Sequence, residues 1–356
     1  MTLDTNIAER LTGWLRTQLP DAEDVGIEGL DRVNFGHSAE MMVLTITTQG
    51  SRQDVVLRLR PKPPALLEPY DLARQFAILR ALEPTAVRVP RALWLEDAGD
   101  VLGRPFFVME RVGGAVYEME SPDVADETAV RMCQSLVEQL AVIHSVDLEQ
   151  TGLDALDDGS DHLERELNHW AGEMDRVKRD SLPALERLLA ALRQSKPEPC
   201  PRITLVHGDA KPGNFAFDRG EVSAVFDWEM TTVGDPLTDI GWLELLWMQS
   251  VGITSHSAAL SVDALLAHYQ AVSGIEVVNR SWYRALNAYK MAVICFVGAM
   301  LVDGGHSNDQ KLVLAAYGTS MLTKVGLGEL GIEEPLDDGP VMPRHERIQQ
   351  IRALAT

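Results

Sequence analysis

The segment Val206–Glu229, VHGDAKPGNFAFDRGEVSAVFDWE, limits what this chain can fold into more than any other stretch. It opens on apolar residues, passes through His207, Asp209, Lys211 and Asn214, and then reads as a hairpin. Phe215-Ala216-Phe217 and Val222 to Phe226 flank the turn Asp218-Arg219-Gly220-Glu221. A hairpin needs no such polar groups at its base. Closing the turn brings Asn214, just before the first strand, towards Asp227, just after the second, since paired strands lie about 5 Å apart. Asp209, in the loop entering the hairpin, is placed to face the same cleft. Singly, each residue has a plainer reading. Asn and Asp cap turns, and a histidine before glycine is commonly a satisfied core imidazole.

Composition removes several classes of partner. The 356 residues are 46% hydrophobic and 24% charged, with a formal net charge of −21. Such a surface repels nucleic acid and anionic lipid and suits a cationic small molecule. The three cysteines, Cys133, Cys200 and Cys295, form no CxxC pair. That points to a reduced compartment, without a disulfide framework or thiolate zinc site. The first residues, MTLDTNIAERLTGWLRTQLP, read as an amphipathic helix over 5–18 and not as a signal peptide. The longest apolar-rich run, Ala285 to Val302, is interrupted by Asn287 and Lys290 and reads as a core helix, not a membrane span. The expected setting is the cytoplasm, as a monomer or homodimer.

Along the chain, residues 1–112 are strand-rich. Met41 to Thr48, Asp54 to Arg60, Ala92 to Glu96 and Pro105 to Arg111 read as strands, and Leu72, Phe76, Leu79 and Leu82 fall at helical spacing. A pivot near residues 109–113 precedes Gly113-Gly114. Residues 113–356 are mainly helical, with a charged helical stretch over 160–195 and an acidic Gly/Pro linker, EEPLDDGP, before a terminal helix. This predicts an α+β, bilobal architecture. A small N-terminal lobe carries an antiparallel β-sheet plus a helix, and a larger C-terminal lobe is mainly helical. Ligands often bind between such lobes.

Within that frame the polar cluster gains meaning. An amide oxygen and a carboxylate that converge are hard ligands, few in number, and suit magnesium also held by phosphates. The order His-x-Asp-x-x-x-x-Asn, followed by a hairpin to Asp, matches the catalytic loop and metal aspartate of kinases in spacing. The chain resembles the aminoglycoside phosphotransferase-like branch of the protein-kinase-like fold, a branch that includes choline kinases and kinase-like domains fused to some acyl-CoA dehydrogenases. The resemblance is carried by VVLRLRPKPP, VLGRPFFVMERVGG, LVHGDAKPGN and VFDWEMTTVGDPLTDIGW, and spans about residues 30 to 300.

That resemblance implies roles. Asp209 is the base that accepts the acceptor hydroxyl's proton, Lys211 steadies the transferring phosphoryl charge, and Asn214 and Asp227 hold Mg2+. His207 orients the loop. Asp239 accepts hydrogen bonds from the loop backbone. Asp235 supports similarly or caps a helix. Glu229 assists the metal site or substrate, or is a turn acid. For ATP (or GTP), Arg58 stands where relatives carry a phosphate-binding lysine, and Gln75 where most carry the partner glutamate. A neutral amide can bond Arg58 but cannot neutralise it. Gly36, His37 and Ser38 lie in a loop that covers the phosphates, with one glycine instead of three. Met109, Glu110 and Val112 meet the adenine through their backbone. Only Trp228 to Gly234 separates Asp227 from Asp235, which leaves no room for a peptide platform. The expected acceptor is a small hydroxyl-bearing molecule: an aminoglycoside or other amino sugar, with Glu229, Asp235 and Glu244 facing its amines, or a choline-like amine or hydroxy acid. The rival from another class is a nucleotide-binding module with little turnover, which Gln75 and the glycine-poor loop favour.

Overall fold

Alternation at Met42, Leu44 and Ile46 gives one strand a wholly buried face, and the first part of the chain is built against it. The computed structural model describes residues 5–33, 40–333, 338–339 and 341–354. Helix α1 (Thr5–Gln18) precedes β1 (Gly26–Val33), β2 (Glu40–Thr48), β3 (Ser51–Leu59), α2 (Leu72–Leu82), β4 (Ala92–Glu96) and β5 (Phe106–Glu110). The strands form a five-stranded sheet in the order β1-β2-β3-β5-β4, antiparallel throughout. Leu11 and Leu15 of α1 join Met42, Leu44, Val55, Leu57 and Phe106 in one core. Trp14 meets Phe106 edge-on at 4.8 Å. Helix α2 starts where the Asp71 carboxylate accepts the Arg74 N–H, and it buries Gln75, Ile78, Leu79 and Leu82, one helical face.

The chain divides into two units. The first holds the residues up to Ala115 and also Ser223–Glu229; the second holds Val116–Val222 and everything from Met230 onward. A short strand β6 (Ala115–Val116) carries the chain from one to the other. The return of Ser223–Glu229 to the first unit is a feature that local pattern does not announce.

The second unit is mainly helical. It contains α3 (Asp126–Ile143), α4 (Leu148–Thr151), α5 (His162–Val177) and α6 (Pro183–Gln194). The stretch 160–195 is thus two helices, because Pro183 starts a new one at its first turn. Then come β7 (Thr204–Val206), β8 (Phe215–Asp218), β9 (Glu221–Val225) and β10 (Thr232–Gly234). Strands β7 and β10 pair antiparallel, Val206 opposite Thr232. The turn between β8 and β9 is tight because Arg219 and Gly220 both take positive φ, 51° and 85°. Helices α7 (Leu237–Trp247), α8 (Val262–Ser273), α9 (Arg280–Asp303), α10 (Gln310–Glu329) and α11 (His345–Leu354) complete the chain.

Among the described residues one helix, α9, is long and apolar enough to cross a membrane by length and composition, and 83% of its apolar window is buried within the fold. The polar residues that interrupt it are structural. Asn287 Nδ2 donates to the Thr238 carbonyl at 2.9 Å. Lys290 Nζ donates to the Gly208 carbonyl at 2.7 Å. Helix α9 therefore braces both α7 and the loop after β7.

Candidate active site

The loop after β7 is shaped from beneath by one carboxylate. Asp239, on the first turn of α7, accepts the N–H of His207 at 2.7 Å and of Gly208 at 2.8 Å. Gly208 has φ +86°, and a Cβ there would fall 2.2 Å from the Met230 carbonyl oxygen, so only glycine fits. Asp239 is fully buried. Burial would raise its pKa, but the hydrogen bond and charge of His144 and the charge of His207 outweigh it and hold the carboxyl below its ordinary value. His144 reaches it through Nε2 at 3.1 Å while Nδ1 meets the Tyr269 hydroxyl at 2.7 Å. His207 is buried too. Its Nδ1 accepts the Asp209 N–H at 3.2 Å, and its ring stacks on Phe215.

On this base the next residues converge. A single tight helical turn, Pro212–Asn214, folds the chain back. Asn214 Nδ2 then donates to both the backbone oxygen and Oδ2 of Asp209, each at 2.8 Å. Lys211 Nζ lies 3.3 Å from the same Oδ2. Trp242 Nε1 donates to Asp209 Oδ1 at 2.8 Å. Asp209, Lys211, Asn214, His207 and Asp239 are thus one constellation in the second unit. Trp242 and Lys290 escaped sequence reasoning, though each left a trace. Trp242 lies three residues past Asp239, on the same helical face. Lys290 is a charge inside an apolar helix.

Asp227 belongs to the first unit, where it takes φ +66°, a conformation that aspartate tolerates better than most residues. Arg58, buried in the centre of the sheet on β3, donates from Nη2 to Asp227 Oδ1 at 2.7 Å and to Glu229 Oε2 at 2.9 Å. Its Nε and Nη2 also donate to the Tyr70 hydroxyl, at 3.2 and 3.1 Å. Burial works against the guanidinium charge, but Asp227, Tyr70 and Glu229 prevail and raise its pKa well above the usual value. Gln75 is buried and hydrogen-bonds the Tyr70 side chain. Gln75 is neutral, and the counter-charges of Arg58 come from Asp227 and Glu229. The structure corrects Glu229 as a substrate contact, since that side chain is 7% exposed and held by Arg58.

The remaining expected residues fall variously. Met109 and Glu110 end β5, opposite Val56 and Val55 of β3. The Glu110 N–H is already donated to the Arg91 carbonyl at 2.9 Å, which restricts any nucleotide contact there to its carbonyl oxygen. Val112 follows the strand. Gly36, His37 and Ser38 lie outside the described residues. Asp235 gives way as a substrate contact. It is wholly buried, with Oδ2 accepting from Cys200 N at 2.8 Å and Tyr283 Oη at 2.7 Å, and Oδ1 from Leu237 N at 2.9 Å. Glu244 is likewise buried and neutralised by Arg280 at 2.5 Å and Arg284 at 2.6 Å. Burial and pairing leave neither acid for an amine.

Among the described residues no group of three or more His, Cys, Asp or Glu forms a metal cage. The donors on hand are oxygens. In the second unit Asn214 Nδ2 is directed to Asp209, which leaves the amide's carbonyl oxygen for other partners; in the first unit Asp227 is a carboxylate bonded to Arg58. Oxygen donors of this kind are hard ligands, suited to magnesium and unsuited to zinc.

Comparison with known proteins bears on this geometry. Residues 32–278 match the model of the phosphotransferase enzyme family, APH. Acyl-CoA dehydrogenase family member 11 of Rattus norvegicus is 29% identical over 298 residues, 80% of this chain and 38% of that protein. Acyl-CoA dehydrogenase family member 10 of Mus musculus is 34% identical over 193 residues, 53% of this chain and 18% of that protein. The chain thus spans well under half the length of these curated relatives. Among solved structures, a "putative aminoglycoside phosphotransferase" from Ralstonia eutropha JMP134 superposes with a TM-score of 0.75 at 23% identity, covering 91% of this chain and 98% of that one. The macrolide 2'-phosphotransferase MphH from Brachybacterium faecium gives 0.56 at 19%, over 88% and 98%. At such identities the likeness is one of fold: an antiparallel sheet with a helix in the N-terminal part and a larger, mainly helical C-terminal part.

Proposed function

This chain belongs to the phosphotransferase enzyme family, and from that premise we propose that it is an ATP- and magnesium-dependent kinase of a small hydroxyl-bearing molecule. The observation that carries the reading is the constellation around Asp209: a carboxylate at the mouth of a glycine-strained loop, oriented by Asn214 and Trp242, with Lys211 beside it. Asp209 takes the proton of the acceptor hydroxyl, a role typically worth about 10²–10⁴-fold. Lys211 offsets charge on the phosphoryl group in transfer. Asn214 and Asp227 would hold magnesium, which when bound neutralises phosphate charge. Arg58, fixed by Asp227, Glu229 and Tyr70, orients the nucleotide phosphates as a planar fork. The backbone at Met109 to Val112 takes the adenine.

The acceptor separates two readings. The net charge of −21 favours a cation such as an amino sugar or choline-like amine. Against it, the buried acids Asp235 and Glu244 are already paired. The curated relatives are named acyl-CoA dehydrogenase family members; the acyl group in that name favours a hydroxy acid. The carboxylates on Arg58 weigh against a module with little turnover, because they supply what Gln75 lacks. The test is ADP release from ATP with kanamycin, glucosamine, choline and 3-hydroxybutyrate, with and without magnesium. Magnesium-dependent release with one class names the acceptor chemistry. Nucleotide binding without release on any of them would overturn the kinase reading.

A further inference from the structure

The carboxylate of Asp209 has an uneven set of partners. Oδ2 receives Asn214 Nδ2 at 2.8 Å and has Lys211 Nζ at 3.3 Å. Among the described residues Oδ1 receives Trp242 Nε1 alone, at 2.8 Å. A carboxylate oxygen offers about two acceptor positions. Oδ2 carries the Asn214 hydrogen bond and the nearby Lys211 ammonium, and among the described residues Oδ1 keeps one position beside Trp242. Trp242 therefore shares the oxygen that remains open.

Trp242 is itself held. Lys290 Nζ lies 4.9 Å from the centroid of its ring and 5.5 Å from that of Trp170. The same ammonium donates to the Gly208 carbonyl at 2.7 Å and lies 3.7 Å from Glu166 Oε2. One buried cation thus ties the peptide before Asp209 to the ring that hydrogen-bonds its carboxylate. The indole N–H suits this place chemically. It is a donor only, carries no charge and does not titrate, so it fixes the carboxylate without neutralising it.

We propose that Trp242, backed by Lys290, is a positioning residue that presents the open acceptor position of Asp209 Oδ1 to the acceptor hydroxyl. This rests on Asp209 being the base. In the step, the hydroxyl proton passes to Oδ1 as the hydroxyl oxygen bonds the γ-phosphorus. The bond from that phosphorus to the bridging oxygen breaks, and its electron pair leaves with ADP. Trp242 gives and takes nothing. It sets the direction from which Oδ1 meets the hydroxyl, and misplacement by about 1 Å costs on the order of 10²-fold.

The test uses the full chain labelled with 15N at its seven tryptophans. Trp242→Phe removes one indole N–H signal and so identifies it. Asp209→Ala is expected to shift that signal more than any other, and Lys290→Met to shift it while Lys290→Arg restores it. In ADP release from magnesium-ATP, into water and to each compound of the panel, Trp242→Phe is expected to lower kcat by about 10–100-fold with affinity for a fluorescent ATP analogue within twofold. An indole signal indifferent to Asp209→Ala, or full kcat in Trp242→Phe, overturns the proposal. Should Asp209→Ala keep its turnover, the base assignment itself fails. Loss there with full turnover in Trp242→Phe sinks the positioning role alone. If Trp242→Phe does not fold, the pair Lys290→Met and Lys290→Arg with the Asp209→Ala spectrum decides the matter.

Discussion

The loop around Asp209 and the segment around Asp227 hold their aspartates by opposite means. Asp209 takes neutral N–H donors, from Trp242 and Asn214, with Lys211 at the longer distance of 3.3 Å. Asp227 takes a buried guanidinium at 2.7 Å and shares it with Glu229. A neutral donor orients a carboxylate and leaves its charge for chemistry. A buried cation cancels that charge and fixes it in place. The first arrangement suits a group that must receive a proton. The second would suit one whose charge is exchanged on binding of the proposed nucleotide and cation.

Substitutions that sharpen the contrast differ in expected size. The largest effect belongs to Gly208→Ala. A methyl group 2.2 Å from a backbone oxygen, at φ +86°, forces the loop apart. Activity is expected to vanish and thermal unfolding to come several degrees earlier. Next is Arg58→Met, which removes the guanidinium held by Asp227 and Glu229. Urea unfolding should show a loss of about 3–5 kcal/mol, whereas Trp242→Phe, which removes a neutral bond, should cost about 1 kcal/mol. Equal losses would break the distinction between the two regions.

Asp239 gives a pH signature. Its folded pKa lies below the ordinary 3.8, so its contribution is complete above the unfolded value and is lost as pH falls through the lower, folded one. The groups facing it are His144 from α3 and the backbone N–H groups of His207 and Gly208. Asp239→Asn should be less stable at pH 7 and lose less stability than the parent as pH falls below about 4, as acid titration followed by circular dichroism would show. Parallel curves would contradict this. The smallest effect is Gln75→Met, which removes the bond to Tyr70 but no charge from Arg58. About 1 kcal/mol of stability is expected, with nucleotide affinity changed less than threefold. A larger fall in affinity would mean that Gln75 acts on the phosphate fork directly.

Much of this was legible in the sequence, for identifiable reasons. Period-two alternation exposed β2, β-branched and apolar runs exposed β3 and β5, and the apolar spacing of α2 exposed its buried face. The polar residues 209, 211 and 214 were visible because they lie close in sequence and fold back within one turn. What escaped was contact over long separations. Nothing local says that Glu229 meets Arg58, 171 positions away. Nor does anything local say that Asp235 is sealed by Tyr283. Acids near a motif read equally as substrate contacts, supports or caps, and burial with a paired partner, which decides between these, is a tertiary property. Lys290 was noted only as an interruption of an apolar run, yet it braces the loop itself.

Asp209 is proposed to act as a base while its loop scaffold stands independently of its charge. The most direct measurement compares Asp209→Ala and Asp209→Asn with the parent, following ADP release with the acceptor that the panel selects and binding of a fluorescent ATP analogue. Turnover reduced by about 10²–10⁴-fold in both variants, with nucleotide affinity and fold retained, is the predicted result. Turnover within a few-fold of the parent in either would contradict it.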